Sequence, residues 1–166
     1  MILFAEIIIL LVIITLADIG GLKKHSLTGL HNLPKAIQER VRELPEYIGR
    51  VNGPILTTKQ RIIKKLPALV IVAAAFAGLT YLAGARDFLH GFLYSFIISA
   101  SVKLYVTLIL QCVVLVNSPK LRFPGTEDLK AEWTNRKFYM SFIPRSLFAF
   151  GLVSLIIGAI ISVICR

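Results

Sequence analysis

The sequence predicts an all-α polytopic membrane protein, a four-transmembrane-helix bundle with amphipathic interfacial helices between the spans. Three observations predict it. The chain of 166 residues is 56% hydrophobic with a mean hydropathy of +0.76, against about 45–50% apolar in a soluble domain. Apolar runs of about 20 residues recur, the length a helix needs to cross the hydrocarbon core. The positive charge, 19 Lys+Arg against 9 Asp+Glu, is concentrated in two segments between those runs, 22–66 and 117–145. The chain is read as a single integral membrane domain over residues 1–166, with no sizeable soluble domain.

The first span is expected at residues 2–21. It is apolar apart from Glu6 and Asp18. A secretory signal would carry a positive N-terminal region, whereas this run carries an acid and ends in Gly-Leu-Lys-Lys. It therefore reads as a retained helix. Lys23 and Lys24 follow its C-terminal end, so the positive-inside rule puts the N-terminus outside.

Segment 22–66 has a net charge of +7. Within it Leu33, Ile37, Val41, Leu44 and Ile48 recur at helical steps, with Lys35, Gln38, Glu39, Arg42 and Glu46 on the other face. A basic amphipathic helix beside a span lies in the headgroup plane or packs on the inner ends of a bundle. The periodicity leaves both readings open. Pro34 fits a first turn, and Pro45 breaks or kinks the helix. Asn52-Gly53-Pro54 is a turn, and Thr57 or Thr58 can cap a short basic helix over 59–65 that leads into the next span.

The second span is expected at 67–85 and is rich in small residues. Ala74 and Gly78 form a small-xxx-small pair that permits close helix approach. Arg86-Asp87 makes a tight outer turn. His90, one turn into the third span, reads as a hydrogen-bonded interfacial residue. No second His or Cys stands beside it at ligand spacing, so no metal is expected.

The third span, 89–116, organises the chain. Gly91, Ser95, Ser99, Lys103, Thr107 and Gln111 recur every fourth residue and so form one small or polar stripe on an α-helix. This seam is expected to face protein, packed on Ala74/Gly78 and on Gly151/Ser154/Gly158 of the fourth helix. Lys103 is its sharpest feature. A charge in mid-span is disfavoured by at least ~2.5 kcal/mol on insertion scales and marks function by default. Three arrangements fit it: an anchor for a headgroup or small anion in a polar cavity, a structural pair with Glu6 or Asp18, or a contact with another chain. The candidate binding set is Lys103, Glu6, Ser99, Ser95 and Thr107.

Segment 117–145 is basic again, with a net charge of +3. Pro124-Gly125 is turn chemistry. Thr126 is a good N-cap, with Glu127 and Asp128 at the positive end of the helix dipole. Trp133, Phe138 and Tyr139 with Arg136 and Lys137 read as an interfacial aromatic-basic anchor. The headgroup candidates are Lys35, Arg42, Arg122, Arg136, Lys137 and Trp133. The fourth span follows at 146–164, and the charge pattern then puts both termini outside and both basic segments in the cytoplasm.

The excess of basic residues lies beside apolar spans, so anionic lipid headgroups are the expected partner and nucleic acid is not. A second copy or a membrane-complex partner is the expected protein contact. Cys112 and Cys165 form no Cys-x-x-Cys pair and read as buried apolar residues. No metalloprotease, nucleophile-elbow, phosphate-loop or paired-aspartate motif is present, and no cofactor is expected. The expected function is a non-enzymatic integral membrane protein that binds a lipid or small amphiphile or serves as a subunit of a larger complex. The alternative is a small membrane-embedded lipid-modifying enzyme.

Leu33-Pro34, the run Val41-Arg42-Glu43-Leu44-Pro45-Glu46-Tyr47 and the run Arg122-Phe123-Pro124-Gly125-Thr126-Glu127-Asp128 resemble patterns in small four-span membrane proteins of Gram-positive anaerobes that are often labelled transporter permeases. The resemblance runs from Leu33 to the fourth helix. It implies the four-span architecture and no activity.

Overall fold

The computed structural model describes residues 2–23, 27–51 and 58–165. For residues 22, 23, 28, 29, 31, 49–51, 58–66, 68, 69 and 72 it describes the backbone alone. Lys24, Asn52-Gly53-Pro54 and Thr57, singled out by the sequence, lie outside the described residues, as do the side chains of Lys23 and of the basic helix at 59–65.

The described residues are helical and contain no strand. In chain order the α-helices are α1 (Ile2–Lys23), α2 (Lys35–Glu43), α3 (Pro45–Val51), α4 (Thr58–Leu82), α5 (Phe88–Tyr105), α6 (Lys130–Trp133), α7 (Arg136–Met140) and α8 (Phe142–Ile164). α5 continues directly into a π-helix, Val106–Leu115. Among the described residues three helical stretches are long and apolar enough to cross a membrane: Ile2–Gly21, Phe88–Leu115 and Arg136–Ile164. The second expected span is not one of them. Within α4 the unbroken apolar stretch of described residues is Ala73–Leu82, and the helix closes at Leu82 instead of reaching 85. Closure comes from a Schellman turn: Ala85 N–H donates to Thr80 O at 3.2 Å and Gly84 N–H to Tyr81 O at 3.0 Å. Gly84 takes φ +99° there, a conformation that disfavours a side chain.

The chain divides into two compact units. The first comprises Met1–Val12, Leu56–Leu104 and Ile143–Arg166. In it α5 and α8 cross at two glycines. A Cβ on Gly91 would stand 3.0 Å from Gly158 Cα, and a Cβ on Gly158 would stand 2.8 Å from Phe88 O. Close backbone approach of this kind is what small residues permit between apolar helices. The buried face of α5 is Gly91, Ser95, Ile98 and Ser99, and that of α8 is Ser154, Ile157, Gly158 and Ile161. Ala85, Ile157 and Ile161 form the core, with Phe76, Ala77, Tyr94, Val153 and Cys165 packed around them. α4 thus turns Phe76, Ala77 and the buried Thr80 inward. The expected Ala74/Gly78 contact is absent. Ala74 is exposed, and a Cβ on Gly78 would meet nothing within 4 Å.

The second unit comprises Ile13–Ile55 and Tyr105–Phe142, and its core joins the two basic segments. Leu30, Leu33, Ile37, Val41 and Tyr47 from the first segment pack with Leu121, Phe123, Trp133 and Tyr139 from the second and with Cys112, Leu115 and Val116 of the π-helix. Ile37 and Val41 are fully buried, so the apolar face of α2 is covered by protein. This decides between the two readings of the amphipathic helix: it is packed and does not lie with that face in lipid. Leu44 is extended, with φ −70° and ψ 128°, because the residue before a proline avoids the α region. α2 therefore stops and α3 begins on Pro45.

α1 differs from both cores. No residue of its span is fully buried within the protein, and Ile2, Phe4, Ile9, Val12, Ile13 and Leu16 are all exposed, while Leu3, Glu6, Ile7 and Leu10 are half-buried. An apolar helix face exposed in this way needs lipid or another chain against it.

Candidate functional site

The seam of the third span falls into three parts with different chemistry. Its first part is a packing face. Ser95 Oγ donates to Gly91 O at 2.8 Å, and Ser99 Oγ donates to Ser95 O at 2.8 Å. Both side chains are buried and both hydroxyls are turned back onto their own helix, the usual accommodation of serine in an apolar helix. They are satisfied, and as donors they are not available to a ligand.

The second part is Lys103, near the end of α5. It is half-buried and makes no ion pair among the described residues, whose ion pairs are Arg40–Asp128 and His90–Asp87. Glu6 belongs to the same unit, but the two do not pair. Glu6 is half-buried, and its Oε2 is buried without a hydrogen-bond partner. Asp18 is exposed and also unpaired. Ser154 Oγ, on the buried face of α8, is a further orphan of the first unit. Such atoms are uncommon in native interiors, where most buried polar groups find a partner.

The third part is Thr107, on the π-helix of the second unit. It is fully buried, with Oγ1 unpartnered. Here the fourfold register is lost, because π-helical bonds run i→i+5. Val116 N–H reaches Gln111 O accordingly. Gln111 is half-buried while Leu110, Cys112 and Leu115 are buried. The stripe read from the sequence therefore does not continue as one face.

The headgroup candidates divide as well. Lys35, Arg42, Arg136 and Lys137 are exposed. Arg122 is half-buried: its Nη2 donates to Val116 O at 2.8 Å, which neutralises a carbonyl at a helix C-terminus, and its Nε is buried without a partner. Trp133 overturns the anchor reading. It is 0% exposed, stacks near Phe123 at 6.4 Å, and donates Nε1–H to Thr126 Oγ1 at 3.1 Å. Thr126 in turn donates to Phe123 O at 2.6 Å. Its hydroxyl is committed to that chain of bonds and makes no helix cap. Phe123 also meets Tyr47 edge-on at 5.7 Å. Gly125 sits at φ +79° against Leu44, which lies 2.8 Å from the place a Cβ would occupy. Arg40 is paired with Asp128 across the same junction. The two sequence runs that carry the resemblance thus meet in one core, a long-range contact that helical periodicity does not signal.

At the start of α5 the His90 backbone N–H bonds Asp87 Oδ1 at 2.9 Å, and the His90 ring Nδ1 stands 2.6 Å from Oδ2. These bonds hold the Asp87 carboxyl below the usual carboxylate range. Arg86 lies over the Tyr81 ring at 4.0 Å and donates to Tyr81 O and Ala85 O. Both pairs serve the turn. Both cysteines are free thiols, and among the described residues no three His, Cys, Asp or Glu gather as a metal site.

Among the described residues of the first unit, Lys103 makes no ion pair, and Glu6 Oε2 and Ser154 Oγ are buried without a hydrogen-bond partner. A lysine offers three donors and a carboxylate only acceptors, so the set can hold charged groups but contains no nucleophile–base pair. In comparison with known proteins, the chain matches no family model, no curated protein and no solved structure.

Proposed function

We propose that this chain is a non-enzymatic integral membrane protein that holds the anionic group of a lipid or small amphiphile at Lys103. The observation that supports this is a half-buried lysine within a helix long enough to span, with no acid paired to it among the described residues. A charge in that position is stable only with a partner, a cavity or water, and an amphiphile whose acidic group reaches Lys103 supplies the partner. In this reading α4, extended by the apolar residues after Pro67, completes a four-helix bundle. Both termini lie outside and the second unit lies on the cytoplasmic side, where its exposed Lys35, Arg42, Arg136 and Lys137 meet anionic headgroups. The four-span proteins that the sequence resembles share this architecture in the proposal. A second reading, a subunit of a larger membrane complex, is favoured by the uncovered surface of α1.

Native mass spectrometry of the detergent-extracted protein separates these readings. The amphiphile reading expects copurified lipid that is lost in Lys103→Met; the same lipid complement in that variant sinks it. A stoichiometric protein partner instead supports the subunit reading, and turnover of the bound lipid supports the enzyme alternative. Cysteine labelling at Arg86 and Lys137 in sealed vesicles tests the topology, and equal access to both from one side overturns it.

A further inference from the structure

The second unit carries its own mark of the membrane boundary. Along the π-helix Leu108, Ile109 and Val113 are exposed apolar side chains, whereas the next exposed residues along the chain are Asn117, Pro119 and Lys120. The spanning stretch Phe88–Leu115 ends between the two groups, so hydrocarbon gives way to headgroups close to Leu115. α7 packs on the π-helix, and its Tyr139 is buried in one core with Cys112, Leu115 and Val116. That contact holds α7 at the boundary. Length agrees with it. The stretch Arg136–Ile164 has 29 residues, about 43 Å at 1.5 Å per residue, against about 30 Å of hydrocarbon. Its charged end, Arg136-Lys137, is the part that reaches into the headgroup layer.

α7 also presents one side outward. Asn135 caps it, accepting from Phe138 N–H at 3.1 Å. Tyr139 is fully buried, and Phe138 meets Phe142 edge-on at 5.0 Å. Arg136, Lys137, Met140 and Phe142 are left exposed. Neither cation makes an ion pair among the described residues, and no acid occurs between Arg136 and Ile164. On α2, by contrast, the exposed Lys35 and Arg42 alternate with the exposed Glu39 and Glu43.

We infer that α7 and Phe142 are the lipid-contact collar of the second unit, and that this collar takes a net-anionic phospholipid. Its phosphate lies against Arg136 and Lys137, and the upper part of its acyl chains lies against Met140 and Phe142. The inference rests on the membrane-spanning reading given above, deepens its headgroup part, and makes no use of Lys103.

Two measurements test it. In the first, full-length protein carrying Lys103→Met is offered excess dioleoyl phosphatidylglycerol and dioleoyl phosphatidylcholine in equal amounts, and bound lipid is read by native mass spectrometry. The glycerol lipid should be retained by about tenfold or more, the scale of two basic groups beside an anionic surface. Adding Arg136→Gln with Lys137→Gln should bring the ratio close to one, while Lys35→Gln with Arg42→Gln should change it less. An unchanged ratio in the α7 pair, or an equal loss in the α2 pair, overturns the assignment to α7. If the α7 pair does not extract as a monodisperse protein, Lys137→Gln alone carries the comparison. Because Lys103 is replaced throughout, failure here leaves the reading of Lys103 standing. In the second, nitroxides on Met140→Cys, Phe142→Cys and Lys35→Cys are placed in Cys165→Ser protein in vesicles of the same two lipids. The labels at 140 and 142 should meet oxygen more readily than a water-soluble nickel chelate, and the label at 35 the reverse. Labels at 140 and 142 that favour the chelate overturn the collar.

Discussion

Replacing Trp133 by alanine should open the core of the second unit, and should do so without weakening attachment to the membrane. Trp133 is fully buried, its ring lies beside Phe123, and its Nε1–H ends on Thr126. A tryptophan buries about 150–250 Å², which at about 25 cal/mol per Å² is roughly 4–6 kcal/mol as an upper bound. Measured truncations of large aromatic residues give about 3–5 kcal/mol, and that is the expected loss. Amide exchange at the buried Ile37, Val41 and Tyr139 should accelerate by about two to four orders of magnitude, at about 1.4 kcal/mol per factor of ten. Trp133→Phe should lose less, since an aromatic ring remains and one hydrogen bond contributes about 1 kcal/mol. The chain has one tryptophan, so its fluorescence reports this site alone. Emission should be blue-shifted and insensitive both to iodide and to lipids brominated near the headgroup. Quenching by brominated lipid, together with unchanged exchange in Trp133→Ala, would refute the burial argument and restore the interfacial anchor.

The two helix-packing glycines and the open one should behave differently. Gly158→Ala and Gly91→Ala force backbone apart and should lower the thermal midpoint in detergent, whereas Gly78→Ala meets open space and should be neutral or stabilising by up to about 1 kcal/mol. Equal effects at all three positions would contradict the α5–α8 crossing. The Asp87 pair gives a pH prediction. Its carboxyl is held below the usual range by His90, so its contribution to the start of α5 is present above the ordinary carboxylate pKa and disappears as pH falls through its own lower value. An NMR titration of the Asp87 carboxyl carbon with a midpoint at or above an unstructured aspartate would refute that sign. Because Glu6 and Lys103 are not paired, Lys103→Leu should not restore the stability lost in Glu6→Leu. Rescue of one by the other would reinstate the structural ion pair. Arg40→Ala should be worth at most about 1 kcal/mol, as for other exposed pairs.

Much of the fold was legible because its signals are local. Length and hydropathy identify the first, third and fourth helices as able to span. Pro45 marks the break between α2 and α3 because the restriction it places on Leu44 is a property of adjacent residues. Gly91, Ser95 and Ser99 mark where α5 is covered because small residues at fourfold spacing share a ridge. The same rule failed at Ala74 and Gly78: small residues permit close approach but do not supply a partner to approach. It also failed beyond Lys103, where the π-helix changes the register that the rule assumes. The anchor reading of Trp133 was wrong for a different reason. An aromatic residue among Arg and Lys looks the same in sequence whether it meets headgroups or another segment, and the Leu33–Tyr47 segment that covers it lies some eighty to a hundred residues away.

The seam shows how burial and availability separate. Ser95, Ser99, Lys103 and Thr107 are equivalent positions on an ideal helix, and composition alone makes all four look like one polar surface. The hydroxyls of Ser95 and Ser99 are short enough to reach a carbonyl one turn back, so burial satisfies them within the helix. Lys103 has no such internal solution: its ammonium ends a four-carbon stem, beyond the carbonyls of its own turn that already bond along the helix. It must be satisfied by something outside α5. Replacing it with leucine would remove a desolvation penalty and leave the packing of Gly91, Ser95 and Ser99 untouched. A lysine at this position therefore contributes little that the α5–α8 contact needs.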